Sequence, residues 1–163
     1  MRSLEPVEEP FFREAPVTIT THNHLAAPRS AVFACICGDP AGWGDWFPGF
    51  SRKGRWETPA PHGVGSIRTV DAYRSEYRET ILAWDNDARW AFRVDATTSP
   101  LFDAFAEDYR LSDSGSGTLL TWTAAFRPAR AMRLAMPLAP ATFRLMARRM
   151  AGRLARVAAG APG

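Results

Sequence analysis

The stretches YRSEYRETILAW (73–84) and FDAFAEDYRL (102–111) seat Glu79 and Glu107, respectively, among aromatic and aliphatic residues. Read with the two-residue period of a strand, Tyr73, Ser75, Tyr77, Glu79, Ile81 and Ala83 share one side of the first. Phe105, Glu107, Tyr109 and Leu111 share one side of the second. These are the more apolar sides, so Glu79 and Glu107 are expected to face inward. A carboxylate in apolar company is costly unless it is paired or protonated. That displacement of its pKa is what general acid/base chemistry exploits. Arg68, in GSIRTVD (65–71), would pair with Glu79 across adjacent strands if it also points inward; alternation leaves Arg68 and Ile67 undecided. The catalytic candidates are therefore Glu79 and Arg68, with Glu107 as a second acid/base. Tyr77, Tyr109 and Arg68 would bind a carbonyl or enolate oxygen. The plainer alternative, an internal Arg68–Glu79 ion pair that fixes strand register, is preferred to catalysis for these two. Either way both are expected to line a pocket.

Other chemistries find little support. His22 and His24 fall on the outward face of their strand and His62 lies in a turn, so the three histidines make no metal-ligand set. The Gly-x-Gly at 63–65 precedes no helix and is no phosphate loop. The serines sit in turns, away from any His/Asp partner. Cys35 and Cys37 are too few for a disulfide framework and lack partners at zinc spacing; two small, buried or half-buried thiols in a reduced cytoplasm are expected.

The elements that position these residues are short. VTITTHNHL (17–25) alternates, with Val17, Ile19, Thr21, Asn23 and Leu25 on its inner face. Pro28 and Ser30 open a helix over about 29–37. GDPAGWGDWFPGF (38–50) follows, and in it Trp43, Trp46, Phe47 and Phe50 occupy a stretch broken by Gly and Pro. It is expected to form a second short helix that either caps the core or closes the mouth of a pocket; for Trp46 and Phe47 the two readings stand even. Antiparallel strands are expected over 52–58, 65–71, 73–84, 89–97, 102–111 and 118–127, with turns at DND (85–87) and SDSGSG (112–117). The inner set of 89–97 is Trp90, Phe92, Val94 and Ala96; that of 118–127 is Leu120, Trp122, Ala124 and Phe126. After Pro140 the period becomes 3.6: Phe143, Met146, Met150, Leu154 and Val157 form one stripe of a five-turn helix. Pro137 and Pro140 should break or kink a preceding helical piece at 129–136. A sheet with one apolar face needs a cover, and this helix is the one long amphipathic element, so the sheet must curl around it.

At 163 residues and 46% apolar composition the chain suits a single domain, 16–159, able to bury a core and wall a cavity. Residues 1–15, rich in glutamate and without an apolar run, read as a flexible or loosely docked leader and not a secretory signal. The net charge of +3 conceals an asymmetry. From Arg127 onward there are eight arginines and no acid, while residues 1–126 carry 12 basic against 17 acidic residues. A solvated polar face on the last helix explains this best; contact with an anionic membrane is a minority reading. No basic/aromatic stripe points to nucleic acid.

Four segments in order resemble one known group. LAAPRSAVFACICGDPAGWGDWFP is similar to its opening-strand end, Ala-Pro turn, first helix and Asp…Trp…Trp-x-Pro segment. GVGSIR (63–68) is similar to its Gly-x-Gly-x-x-Arg strand start, YRETILAWDNDARWAFRV (77–94) to its Glu-x-Ile…Trp-Asp…Arg hairpin, and GTLLTWT (117–123) to its Gly-Thr-x-x-Thr-Trp strand. Together they resemble the START-like (SRPBCC) superfamily and, within it, the polyketide cyclase/dehydrase-like group. The resemblance implies an α+β helix-grip fold: a curved antiparallel sheet of about six or seven strands around a long C-terminal helix, with two short helices after strand 1. It implies a cavity between sheet and helix for a small hydrophobic or aromatic molecule, polyketide- or lipid-like, and no cofactor or metal. The expected lining is Trp46, Phe47, Tyr77, Trp90, Phe92, Phe105, Glu107, Tyr109, Trp122, Phe143, Met146 and Met150. If the chain is an enzyme, it would be a cofactor-independent cyclase or dehydratase, monomeric or homodimeric. A non-catalytic carrier or sensor is the second reading, and an interaction module of the same superfamily the third.

Overall fold

The computed structural model describes residues 1–160, apart from the side chains at 131 and 133–135. Its strands are β1 (Arg2–Ser3), β2 (Val17–Leu25), β3 (Arg55–Trp56), β4 (Ile67–Ala72), β5 (Ser75–Asp85), β6 (Arg89–Thr97), β7 (Phe102–Ser114) and β8 (Gly117–Pro128). Its helices are α1 (Phe11–Glu14), α2 (Arg29–Cys37), α3 (Trp43–Trp46) and α4 (Ala139–Ala158). The sheet runs β2-β8-β7-β6-β5-β4-β3, every described pairing is antiparallel, and β1 adds to β6. Six strands are full length and two are of two residues, so the expected curved antiparallel sheet is present. The sheet bends around α4, which packs along the free edge of β2 and against α2 and α3.

Pairing explains where the observed boundaries differ from those expected. Ala72 faces Ser75 across the β4–β5 hairpin, which leaves a two-residue turn. Tyr73 and Arg74 fill it at φ +51° and +65°, the left-handed conformation such turns require. β5 therefore starts at Ser75 and not at Tyr73. The strand expected over 52–58 shrinks to Arg55–Trp56, which pairs only with Arg68 and Thr69. The helical piece before the prolines is present, and of the two outcomes expected the break does not occur at Pro137: a 3₁₀ stretch over Arg130–Leu138 winds through it, and Pro140 sits in the first turn of α4, where its missing N–H costs no hydrogen bond.

The core lies between the concave sheet face and the helices. Met150 and Leu154 of α4 are fully buried, each contributing roughly 1.5–3 kcal/mol of apolar burial. Trp43 anchors α3, its indole N–H donating to the Ile36 carbonyl at 2.9 Å. Cys35 is half-buried and Cys37 buried; both are free thiols, pushed upward in pKa by burial.

Residues 1–15, expected as a leader, lie on the convex face. Arg2 and Ser3 pair with Thr97 and Ala96, and the backbone N–H groups of Leu4 and Glu5 donate to the backbone carbonyls of Asp95 and Asp103. The segment thus spans the gap where β6 and β7, paired only over 89–93 on β6, splay apart. Val7 and Phe11 fill a trough left by the small side chains of Ala104, Ala106 and Ala125. Glu5, Glu8 and Glu9 pair with Arg127, Arg93 and Arg89. No helix among the described residues is long and apolar enough to cross a membrane.

Candidate functional site

Register across the sheet assembles the site. Arg68 on β4 stands opposite Glu79 on β5; Phe92 on β6 stands opposite Glu107 on β7; Trp90 stands opposite Tyr109, and Tyr109 opposite Trp122 on β8. All seven side chains are buried. Arg68 does point inward. Its Nε donates to Glu79 Oε2 at 2.6 Å, and its guanidinium carbon sits 4.4 Å from the ring centroids of both Trp43 and Trp90. A cation held between two indole faces gains from both ring quadrupoles. Nη1 and Nη2 have no hydrogen-bond partner among the described residues, so the aromatic clamp and the Glu79 charge hold this arginine in place.

Glu107 has no such cation. Its Oε2 accepts a hydrogen bond from the Tyr109 hydroxyl at 2.5 Å. Burial pushes its carboxyl up to about 8, against the lowering effect of that hydrogen bond, and the nearby Glu79 charge adds to the rise. Burial also raises the Glu79 pKa, opposed by the charge and hydrogen bond of Arg68. Tyr109 is raised well above its ordinary value, by burial first and then by Glu107. Two buried carboxyls thus share one buried guanidinium, and Glu107 carries its proton at neutral pH.

These acids form the polar patch of a cavity of about 470 Å³ between the sheet and α4. Of the residues expected to line it, Phe47, Tyr77, Glu79, Phe92, Phe105, Glu107, Phe143 and Met146 reach its wall. Trp46, Arg68, Trp90, Tyr109, Trp122 and Met150 do not; each is essentially fully buried in the packed layer outside the wall. The aromatic stretch divides accordingly: Trp43 and Trp46 are core, whereas Phe47 and Phe50 are wall.

Leu101, Phe102, Met132, Leu138 and Thr142 also line the cavity and escaped the sequence reading. A register shift between Phe102 and Ala104 turns both Phe102 and Phe105 inward, with ring centroids 4.7 Å apart, and strict alternation cannot anticipate such a bulge. The mouth carries Tyr73, Leu101 and Leu138, all substantially exposed. Tyr73 reaches across it to α4, its hydroxyl 3.0 Å from Met146 Sδ. Gly49, at φ +93°, makes room for that ring, with which a Cβ would collide. Among the described residues no group of three or more His, Cys, Asp or Glu could hold a metal ion.

Residues 16–159 match the family described as polyketide cyclase / dehydrase and lipid transport. An uncharacterized protein of Mycobacterium tuberculosis is 31% identical over 144 residues, covering 88% of this chain and 81% of its own length. Among solved structures, a START superfamily protein from Mycobacterium smegmatis superposes with a TM-score of 0.70 at 13% identity, over 86% of this chain and 98% of its own. The di-domain ARO/CYC BexL from the BE-7585A biosynthetic pathway gives 0.64 at 14% identity, over 90% of this chain and 51% of its own. At such identities the structural likeness establishes the fold alone.

Proposed function

Because the chain belongs to the polyketide cyclase/dehydrase and lipid transport family, whose fold encloses a hydrophobic-ligand cavity, we propose that it binds a polyketide-like apolar molecule and cyclises and dehydrates it without a cofactor. The observation that carries this reading is the pairing of two cavity-facing carboxyls with a single cation. One carboxyl is ionised against Arg68; the other, Glu107, holds a proton to give away. A wall of phenylalanines shapes the ligand and excludes water, which strengthens any charge interaction inside.

In the reaction proposed, the Glu79 carboxylate takes a proton from a carbon between two carbonyls. The resulting enolate carbon attacks a distant carbonyl of the same chain, and Glu107 delivers its proton to the carbonyl oxygen as the ring closes. The charges are then exchanged. Glu107, now ionised, takes the next α-proton, and Glu79 protonates the departing hydroxyl, which leaves as water. Both acids return to their starting states. Arg68 is a positioning residue that holds Glu79 ionised.

The test is turnover of a synthetic poly-β-ketone, followed by mass spectrometry of the cyclised, dehydrated product. Glu107→Gln is expected to lower turnover by about 10²-fold or more while leaving ligand affinity within a few fold. Unchanged turnover in this variant would remove Glu107 from the mechanism.

The second reading, a non-catalytic carrier or sensor, is favoured by the otherwise apolar wall and the apolar mouth at Leu101 and Leu138. Native mass spectrometry of the purified protein separates the two. A co-purifying lipid with no turnover of any polyketone supports carriage; an empty protein that turns over a polyketone supports chemistry.

A further inference from the structure

The acid pair has a polarity that constrains what can sit against it. Glu79 Oε2 is taken by Arg68 Nε, and Glu107 Oε2 by the Tyr109 hydroxyl. Among the described residues neither Oε1 accepts a hydrogen bond, and both residues reach the cavity wall. With one guanidinium for two buried carboxyls, one proton must be shared by the pair. Tyr109 already donates to Glu107 Oε2, so the proton on Glu107 belongs on Oε1. The cavity face of the patch therefore offers one donor, Glu107 Oε1–H, and one acceptor, Glu79 Oε1.

Resting on the reading of this cavity as the ligand site, we infer that the Glu79–Glu107 pair recognises a single neutral hydroxyl: an enol, phenol or alcohol on an otherwise apolar, ring-bearing ligand. A hydroxyl accepts from one carboxyl and donates to the other, satisfying both at once. A ketone accepts only, and leaves Glu79 Oε1 without a donor. A carboxylate faces the Glu79 charge, while Arg68, the cation that could offset it, is turned into the Trp43–Trp90 clamp and lies off the wall. An ammonium brings three donors to one free acceptor oxygen, has nothing to accept the Glu107 O–H, and must be stripped of water in an apolar chamber. Buried polar groups built to meet a hydroxyl discriminate strongly against an analogue that lacks it, because they are left unpaired.

The experiment is calorimetric titration at pH 7 with four probes of one shape: 2-naphthol, naphthalene, 2-naphthoate and 2-(aminomethyl)naphthalene. 2-Naphthol is expected to bind at least about tenfold more tightly than naphthalene, as one hydrogen bond to a charged group allows, and more tightly than either ion. Glu107→Leu leaves the Glu79 acceptor in place but removes the donor, and is expected to lower that preference by about threefold or more while naphthalene binding and the melting temperature stay at or above wild type. Glu107→Gln, whose amide still donates, is expected to retain most of it. Equal affinity for naphthol and naphthalene overturns the inference and leaves the apolar cavity standing. A preference for the ammonium or the carboxylate overturns it and reassigns the charge state of the pair. If none of the four binds, both the inference and the ligand-site reading fall.

Discussion

Glu107 and Asp108 are consecutive acids on β7, and the pleat sends them to opposite faces of one sheet. Asp108 points to the convex side and is saturated with cations. Arg89 Nε donates to its Oδ1 at 2.9 Å, Arg110 Nε donates to its Oδ2 at 2.9 Å, and Arg89 also grips Glu9 with both terminal nitrogens. Glu107 points to the concave side and receives one neutral hydroxyl. Both are buried. Burial therefore does not distinguish them; the supply of positive charge does. Where every acid has its arginine, the network is finished and holds the leader to the sheet. Where two acids share one arginine, a proton is left in play, and that imbalance marks the chemistry.

The largest effect expected from disturbing this contrast comes from Arg68→Met. Glu79 would keep its burial and lose its only described cation, at a cost of about 3–5 kcal/mol. Urea denaturation at pH 7 measures it. The double variant Arg68→Met/Glu79→Leu is expected to recover most of the loss, since apolar residues of similar volume replace buried ion pairs well. A cost below 1 kcal/mol for Arg68→Met alone would mean that Glu79 is already protonated.

Glu107→Gln tests the uncompensated acid through pH. The carboxyl titrates at about 8 when folded and near its ordinary 4.5 when unfolded. Below pH 4.5 both states are protonated and Glu107 costs nothing. Between 4.5 and 8 the unfolded chain ionises first, so wild-type stability falls as pH rises, by at most about 1.4 kcal/mol per pH unit and a few kcal/mol in all. In Glu107→Gln this component of the decline should vanish, leaving the variant more stable than wild type at pH 8. A parallel decline in both proteins would place the perturbed group elsewhere.

The inward faces were legible because alternation holds along β5, β6, β7 and β8 away from their bulges: Glu79, Phe92, Glu107 and Trp122 all point as their spacing requires, whereas a register shift puts Ala96, expected inward, opposite the outward Arg78. The fold followed from the order of elements and from the single long amphipathic helix that could cover the sheet. Depth was not legible. Trp90, Tyr109 and Trp122 share a face with Phe92, Glu107 and Ala124, yet the first three are packed core and the second three are cavity wall. That difference depends on how α2, α3 and α4 fill one end of the curved sheet and leave the other open, a packing outcome with no sequence period. The mouth residues Leu101 and Leu138 lie in connections, where no pattern assigns a direction. The docking of residues 1–15 was obscured for a related reason. Its acids suggest solvation, and their arginine partners are 80 to 122 residues away in sequence, visible as partners only once β6 and β8 are paired to β7.

On the convex face the effects should be smaller, and ranked by exposure. Arg89→Met removes contacts to Asp108 and Glu9, but Arg110 remains on Asp108, so the loss should be about 1–2 kcal/mol. Glu8→Ala removes an acid that is 68% exposed, whose partner Arg93 keeps Asp95 at 2.8 Å. Solvent already screens that pair, and the expected change is within about 0.5 kcal/mol. Both are read by urea denaturation alongside Arg68→Met. Neither should alter naphthol binding, because neither residue touches the cavity wall. If Glu8→Ala instead destabilised the protein as much as Arg89→Met, the leader would be held mainly by its charges. The small apolar contact of Val7 and Phe11 with Ala104, Ala106 and Ala125 would then be the lesser attachment.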